Sequence, residues 1–269
     1  MDISIIHEDQ DIWIINKPAG LVVNQAKTVS EPTLQDWLKE KLADEKAVAS
    51  NELVPGDFDD SFGTPEEIFT QRLGLVHRLD KNTSGVLILA KNPGALVNLL
   101  AQFKKRQIEK KYVCLTHGKF RVPAGTINAP LGRMSADRQK FAVVSSGRPA
   151  VTRYEVQEFY SGFSDQGKEQ LKKSGKKISL YQGFSLVYCW PKTGRTHQIR
   201  VHMKHWKHPL VGDGKYVGKR RAKLDALWCP RQFLHAAEIK FTHPRSGEEA
   251  SFKVELSQDL KEVLKFLQP

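Results

Sequence analysis

The sequence predicts an α+β fold, with one domain built around a largely antiparallel, mixed sheet flanked by helices and loops. Short apolar or alternating runs recur along the 269 residues and indicate strands, whereas few segments repeat apolar residues at helical spacing. No internal repeat and no linker divides the chain, and its length is sufficient for a full core. We therefore predict a single domain over residues 1–269.

The predicted strands share apolar or alternating composition and are bounded by turn residues. The first is an apolar run that breaks at Lys17-Pro18-Ala19-Gly20, a turn sequence. In chain order the strands are predicted at Ile12–Asn16, Val86–Ala90, Tyr112–Leu115, Ala150–Phe159, Phe184–Cys189, Phe233–Phe241 and Ala250–Leu256.

Four segments have the apolar periodicity of amphipathic helices. Leu34, Trp37, Leu38 and Leu42 predict a helix over Thr33–Ala43, and Leu96, Leu99, Leu100 and Phe103 mark a second helix. A third is expected to begin near Thr196. The fourth is predicted over Ser257–Leu267, with Ser257 as its cap and Leu260, Val263, Leu264 and Leu267 as its buried stripe.

Two long connections stand out by their charge. Residues 44–67 hold eight acids against one lysine and little apolar content, which predicts an exposed loop. Residues 161–177 are rich in glycine, serine and lysine, which predicts a flexible basic loop.

The net charge of +12 favours a polyanionic partner such as nucleic acid, with a merely soluble basic protein as the alternative. Cys114, Cys189 and Cys229 are scattered, which argues against a disulfide framework and against a zinc–thiolate site. The chain opens without a basic and then apolar leader, and no apolar stretch reaches the length of a membrane span. We therefore expect a cytoplasmic protein that does not bind membranes.

The run Leu75-Val76-His77-Arg78-Leu79-Asp80 precedes a predicted buried strand and is followed by a turn sequence at Ser84-Gly85. A carboxylate on a stiff loop, with Arg78 two residues away, is a candidate nucleophile. The alternative is an aspartate that merely caps the turn.

A second run, Lys192-Thr193-Gly194-Arg195-Thr196-His197-Gln198-Ile199-Arg200, leads into the third helix. Ile199, Met203 and Trp206 share one helical face, which we expect to face the core, and Arg200 lies at its edge. A partly buried arginine needs a carboxylate partner, for which Asp80 is a candidate; a surface ion pair is the alternative.

The histidines of this region suggest a metal site only weakly. No HExxH motif and no acid occur among His197, His202, His205 and His208, and the step from 197 to 202 does not match one helix face. We expect core or surface histidines, no metal and no nucleotide cofactor, since neither a Walker motif nor GxGxxG follows a strand.

A third run, Lys110-Lys111-Tyr112-Val113, opens a strand after the basic residues Lys104, Lys105 and Arg106. A tyrosine at this position either belongs to the core or directs its hydroxyl into a pocket as an acid or base. The cations either form a solvated face or contact phosphates.

Taken in order, these motifs resemble those of the RluA-type pseudouridine synthases, which modify ribosomal and transfer RNA. The matching segments extend from about residue 3 to 256. They are Asn16-Lys17-Pro18-Ala19-Gly20, His77-Arg78-Leu79-Asp80 with Thr83-Ser84-Gly85, Lys111-Tyr112-Val113, Gly194-Arg195-Thr196-His197-Gln198-Ile199-Arg200, His208-Pro209-Leu210-Val211-Gly212-Asp213 and Phe233-Leu234-His235-Ala236.

The resemblance implies residue roles. Asp80 matches the essential aspartate, Arg200 the arginine that pairs with it, Tyr112 the active-site tyrosine, and Arg78 the residue that fills the stack left by the target base. It also implies no metal, no organic cofactor and a pocket that includes Ile199 and Lys17. We further expect a monomer without the N-terminal RNA-binding domain that members of the group often carry.

A base must leave its helix before it can be isomerised, so the target uridine is expected to flip into a pocket. The basic residues would contact the RNA: Arg78, Lys104, Lys105, Arg106, Lys110, Lys111, Arg133, Arg138, Lys140, Arg195 and the segment Lys168–Lys177. Asp80 could bond to ribose C1′, bond to base C6 or only assist proton removal. The rival functions are a non-catalytic RNA-binding or ribosome-assembly factor and a hydrolase with an aspartate nucleophile.

Overall fold

The computed structural model of the protein describes residues 3–26, 29–44, 49–172 and 181–269. Strands and helices both contribute to it, so the predicted α+β class is confirmed. The chain divides into two compact units, the first Met1–Glu109 with Glu238–Val254 and the second Lys110–Ala237 with Glu255–Pro269. The single domain over residues 1–269 stays a prediction.

The strands of the described residues range from two to ten residues in length. They are β1 (Ser4–Glu8), β2 (Ile12–Lys17), β3 (Ser84–Ala90), β4 (Glu109–His117), β5 (Ala124–Asn128), β6 (Leu131–Arg133), β7 (Phe141–Val143), β8 (Val151–Tyr160), β9 (Gly162–Phe163), β10 (Phe184–Pro191), β11 (Leu234–Thr242), β12 (Glu249–Lys253) and β13 (Leu267–Gln268).

The helices of the same residues are α1 (Leu34–Ala43), α2 (Pro65–Arg72), α3 (Pro93–Lys105), α4 (Asp165–Lys172), α5 (Gln198–His205), α6 (Lys219–Asp225) and α7 (Gln258–Lys265). None of these helices has the length and apolar character that crossing a membrane requires.

In the first unit, β2 is the middle strand of an antiparallel sheet, paired with β1 on one side and with β3 on the other. Every residue of β3 is buried, as expected from its continuous apolar sequence. Lys17 at the end of β2 lies opposite Gly85 at the start of β3. The turn that follows β2 and the loop that precedes β3 therefore lie at the same end of this strand pair.

In the second unit, β4, β10, β8 and β5 form an antiparallel sheet in that order. One apolar cluster packs around Phe184, Phe163 and Trp228 with Leu260 and Val263 of α7. Another packs around Cys189, Ile199 and Met203 and places α5 against the sheet. The predicted strands and the start of the third helix are thus confirmed within a few residues.

The predicted loops were partly wrong. Within residues 44–67 the chain forms two short 3-10 turns, and α2 begins at Pro65, where Thr64 and Glu67 form a capping box. Within residues 161–177, β9 and α4 replace most of the expected basic loop, and residues 173–177 lie outside the described residues. Acids of the first segment neutralise cations, since Asp57 pairs with Lys105 at 2.7 Å and Glu52 with Arg245 at 2.6 Å.

Two details of the predicted helices differ in the structure. Trp206 follows α5, which ends at His205, and its ring packs edge-on against buried Tyr154 at 5.5 Å between ring centres, but the indole is 40% exposed, so it lies at the edge of the core. Leu267 is buried, but it belongs to β13, which pairs with β9, rather than to the helical stripe of α7.

Candidate active site

The Asp80 loop, residues 75–83, is fixed at several points within the first unit. Leu75 forms an antiparallel bridge with Leu89, and the Ile88 amide donates to Nε2 of His77 at 3.1 Å. The Thr83 amide donates to the Asp80 carbonyl at 3.0 Å, which closes the turn after the carboxylate. Leu79 is buried, Asp80 is partly buried and Arg78 is exposed. These contacts fix the course of the main chain on both sides of Asp80, while the Arg78 side chain faces solvent.

Lys17, the last residue of β2, ties this loop to the preceding turn. Its side chain is fully buried, and its ammonium donates to the carbonyls of Pro18 at 2.7 Å, Leu21 at 3.0 Å and Lys81 at 3.2 Å. The Gly20 amide donates to the same Lys81 carbonyl at 2.9 Å. A buried ammonium is tolerated because carbonyl oxygens replace its water shell. Lys17 therefore links the main chain of Lys81, the residue after Asp80, to the turn that follows β2.

Arg200, in the second unit, forms a buried ion pair with Asp213. Arg200 Nε lies 2.7 Å from Asp213 Oδ2, and Nη2 lies 2.8 Å from Oδ1, which is a bidentate arrangement. Asp213 is almost fully buried and Arg200 nearly so. The expected burial of Arg200 and its need for a carboxylate are confirmed, and within this unit the carboxylate is Asp213. The pairing of Arg200 with Asp80 stays a prediction.

The turn before α5 is organised by Gln198. Its Oε1 accepts from the Thr193 hydroxyl at 2.7 Å and from the Arg195 amide at 3.1 Å, and its Nε2 donates to Val151 O at 3.0 Å. His197, at the start of the helix, has a left-handed φ of 56°. Gln198 thus bonds both to the turn that precedes α5 and to the start of β8. These bonds fix the orientation of the first turn of α5, which contains Arg200.

Tyr216 joins three parts of the second unit. Its hydroxyl accepts from the Phe141 amide at 3.0 Å and lies 2.7 Å from Nδ1 of His197. The Arg200 guanidinium lies 5.0 Å from the centre of its ring, a cation–π distance. This buried tyrosine therefore connects β7, α5 and the Arg200–Asp213 pair.

Tyr112 and Ile199 belong to the same apolar cluster of the second unit, where Ile199 is buried and Tyr112 is partly buried. Beside Tyr112, burial lowers the pKa of Lys110 to about 8. Lys111 points to the other side of β4, and its ammonium lies 3.6 Å from the centre of the Tyr188 ring. The two lysines therefore differ in environment: Lys110 is desolvated, whereas Lys111 packs on an aromatic ring.

The other predicted RNA contacts are on the surface or at its edge. Lys104, Lys105 and Arg106 are exposed at the end of α3 in the first unit. In the second unit Arg133 and Arg138 are exposed in the β6–β7 hairpin, with Arg133 Nη1 3.1 Å from the Arg138 carbonyl. Lys140 is partly exposed and pairs with Asp137 at 3.1 Å, and Arg195 is partly exposed with Nε 3.3 Å from Pro149 O.

The histidines considered as metal ligands make separate contacts. His202 is buried with its ring nitrogens 2.9 Å from the Thr152 hydroxyl and 3.0 Å from Ala129 O, and burial lowers its pKa. His208 bonds the His117 carbonyl at 2.9 Å and stacks on Phe120. His197 contacts Tyr216. These rings hold secondary structure elements together.

Sequence reasoning missed two contacts of the candidate site residues. Asp213 belongs to the quoted run His208–Asp213, but nothing in its spacing predicts that it reaches Arg200. Lys17 was expected at the pocket, and the burial of an ammonium among carbonyls is visible only in the folded loop.

Comparison with known proteins gives a consistent result. Residues 11–205 match the family model described as RNA pseudouridylate synthase. The chain is 35% identical over 267 residues to an uncharacterized RNA pseudouridine synthase of Bacillus subtilis, with 99% of this chain and 73% of that protein covered. It is 34% identical over 270 residues to the ribosomal large subunit pseudouridine synthase D of Zymomonas mobilis, with 98% and 73% covered.

A solved structure, human RNA pseudouridylate synthase domain containing 1, has the same fold. It aligns with a TM-score of 0.64 at 24% identity, over 94% of this chain and 83% of that chain. The motifs around Asp80, Tyr112 and Arg200 all fall within the residues that the family model matches. The chain belongs to the RNA pseudouridine synthases of RluA type, isomerases that convert uridine to pseudouridine in RNA.

Proposed function

We propose that this protein isomerises a specific uridine of a structured ribosomal or transfer RNA, with Asp80, Tyr112 and Arg200 as its catalytic residues. The observation that carries the proposal is the Asp80 loop, in which Lys17 and the amides of Gly20 and Thr83 fix the main chain at and next to a partly buried Asp80. A family member needs such a carboxylate, and a fixed one loses little entropy on reaching the base.

In the proposed reaction the bond from ribose C1′ to N1 breaks and a bond from C1′ to C5 forms, while the C5 proton leaves to water and N1 takes up a proton from water. Asp80 acts as a carboxylate on the ribose or the base of the flipped nucleotide. Arg200, oriented by Asp213, supplies positive charge to the ionised form of Asp80. Tyr112 handles a proton or stacks on the base.

Arg78 is proposed to enter the stack that the target uridine leaves. Its exposure on the Asp80 loop supports this role, because a planar guanidinium can stack on bases and pair with phosphate. Lys110, Lys111 and the cations of the β6–β7 hairpin would contact the backbone. We further propose that the protein acts as a monomer in the cytoplasm.

The test uses RNA that carries tritium at uridine C5, prepared as deproteinised ribosomal RNA and as total transfer RNA. Ribosomal RNA is tested first, since the Zymomonas mobilis relative is by name a large-subunit ribosomal enzyme. We expect wild-type protein to release tritium to water and Asp80→Asn, which keeps the shape of the side chain, to release none while still binding RNA. Release by Asp80→Asn at the wild-type rate would refute the role of Asp80. Tight, salt-sensitive binding without release by the wild type would favour a binding factor.

A further inference from the structure

Helix α6 has a concentration of positive charge that none of the motifs above includes. Lys215, Lys219, Arg220, Arg221 and Lys223 lie within eleven residues that end at Asp225. The side chains of Lys219, Arg220 and Lys223 are exposed. Among the residues that the structure describes, no carboxylate lies within 4.0 Å of the charged nitrogens of these three side chains. We call Lys215, Lys219, Arg220 and Lys223 the basic helix surface.

The acids of this segment are withdrawn from the surface. Asp213 is buried against Arg200, and Asp225 is buried with its Oδ2 2.9 Å from Nε2 of His117. Tyr181 donates to Asp225 Oδ1 at 2.9 Å, and the Gly212 amide donates to Oδ2 at 3.1 Å. Burial and the nearby Asp225 charge raise the pKa of Tyr181, so its hydroxyl remains a donor. The helix is thus anchored from beneath while its cations face outward.

A second contact joins this surface to a predicted RNA-binding element. Lys215 Nζ donates to Gln139 O at 3.2 Å, in the turn of the β6–β7 hairpin between Arg138 and Lys140. Tyr216 holds the Phe141 amide of the same hairpin. The basic helix surface therefore continues the positive charge of the hairpin within one unit.

The chemistry of the surface selects its partner. Its apolar neighbours Tyr216, Val217 and Leu224 are buried, so these three residues offer no face on which a base could stack. Lys219 and Lys223 are one helical turn apart, about 6 Å along the axis, and so present charge along one side of the helix. Cations without base-reading groups bind phosphates and not sequence.

We propose that the basic helix surface binds the phosphate backbone of the substrate RNA outside the flipped nucleotide. This inference rests on the proposed function for the identity of the RNA as substrate, but its binding test does not depend on catalysis. Each phosphate contact should add to the salt dependence of binding, because bound counterions are released.

The experiment measures the dissociation constant for a fluorescein-labelled RNA duplex over a series of salt concentrations. The triple variant Lys219→Gln, Arg220→Gln and Lys223→Gln should reduce the slope of log K against log salt by roughly 2 to 3, at about 0.7–0.9 for each lost contact. Glutamine preserves helix propensity, and thermal unfolding verifies that α6 remains folded. The matched control removes three exposed lysines of the first unit, Lys39→Gln, Lys41→Gln and Lys253→Gln.

A reduced slope for the α6 variant alone supports the proposal. An unchanged slope, or an equal reduction in the control, overturns it, because the effect would then be absent or would reflect net charge only. With tritiated RNA, the α6 variant should raise KM rather than lower kcat. If wild-type protein releases no tritium from any RNA, the proposed function fails, and the salt slopes still decide the role of α6.

Discussion

Replacing Lys17 with methionine should separate the positioning of Asp80 from the binding of RNA. Methionine keeps an unbranched side chain of similar length but removes the ammonium that donates to Pro18, Leu21 and Lys81. Lys81 is the residue that directly follows Asp80 in the chain. The substitution should therefore loosen the loop that carries Asp80 and leave Arg78 exposed.

The size of the effect follows from the burial of each contact. The bond to Leu21 is buried, and its loss costs about 1.5–3 kcal/mol because the acceptor is left without a charged donor. The contacts to Pro18 and Lys81 are partly buried, and Lys81 O still accepts from the Gly20 amide, so each loss costs about 0.5–1 kcal/mol. Removing the ammonium also removes the cost of its own desolvation, so we expect a net destabilisation of about 2–4 kcal/mol.

The assay combines urea unfolding with single-turnover tritium release at saturating RNA. A displacement of Asp80 of about 1 Å would reduce the rate by about 100-fold, so a decrease of at least about 10-fold is expected. The control is Lys91→Met in the same unit, where a buried lysine pairs with Glu8 at 2.7 Å and lies over the Trp13 ring at 4.8 Å. It should lose stability and keep the wild-type rate. A folded Lys17→Met protein with the rate of Lys91→Met would refute the positioning role.

Two further predictions concern the carboxylate partners of buried arginines, Arg200 and Arg231. Asp213→Ala should destabilise the protein by about 3–5 kcal/mol in urea unfolding, because it leaves a buried arginine without its bidentate partner; Asp213→Asn should cost less, and equal losses would show that the charge is unimportant. Burial alone would raise the pKa of Asp259, but hydrogen bonds from Arg231 and Ser257 outweigh it and lower the pKa. This stabilisation is present above the unfolded pKa of about 3.8 and is lost as pH falls through the folded value, so Asp259→Asn should flatten the fall in stability below about pH 4. A variant that loses stability as steeply as wild type there would contradict this assignment.

Local patterns predicted the elements that have strong periodicity. The apolar run of β3 and the stripe of α3 could be read directly, since burial on both faces or on one face leaves a repeating sequence. The start of α5 and the burial of Arg200 followed from its place beside Ile199. These are properties of neighbouring residues, which a sequence shows.

Helices with few apolar residues were missed. α2 has a capping sequence, Thr64-Pro65-Glu66-Glu67, but none of its residues is buried, so its periodicity is weak. α6 is mostly charged, and its buried residues are Leu224 and one acid, Asp225. The capping box of α2 could have been recognised; the anchoring of α6 could not, because His117 is more than a hundred residues away.

Charge alone does not tell which cations of a basic protein bind RNA; burial and partners do. Lys17, Arg200 and Arg231 are buried and bound to carbonyls or carboxylates, so replacing them should change stability and geometry. Lys219, Arg220 and Lys223 are exposed on a helix held from beneath, so replacing them should change the salt dependence of binding and leave the fold intact. The basic residues behind the net charge of +12 therefore fall into two groups, buried cations with partners and exposed cations. Unfolding experiments detect the replacement of residues of the first group, and salt titrations of RNA binding detect the replacement of residues of the second.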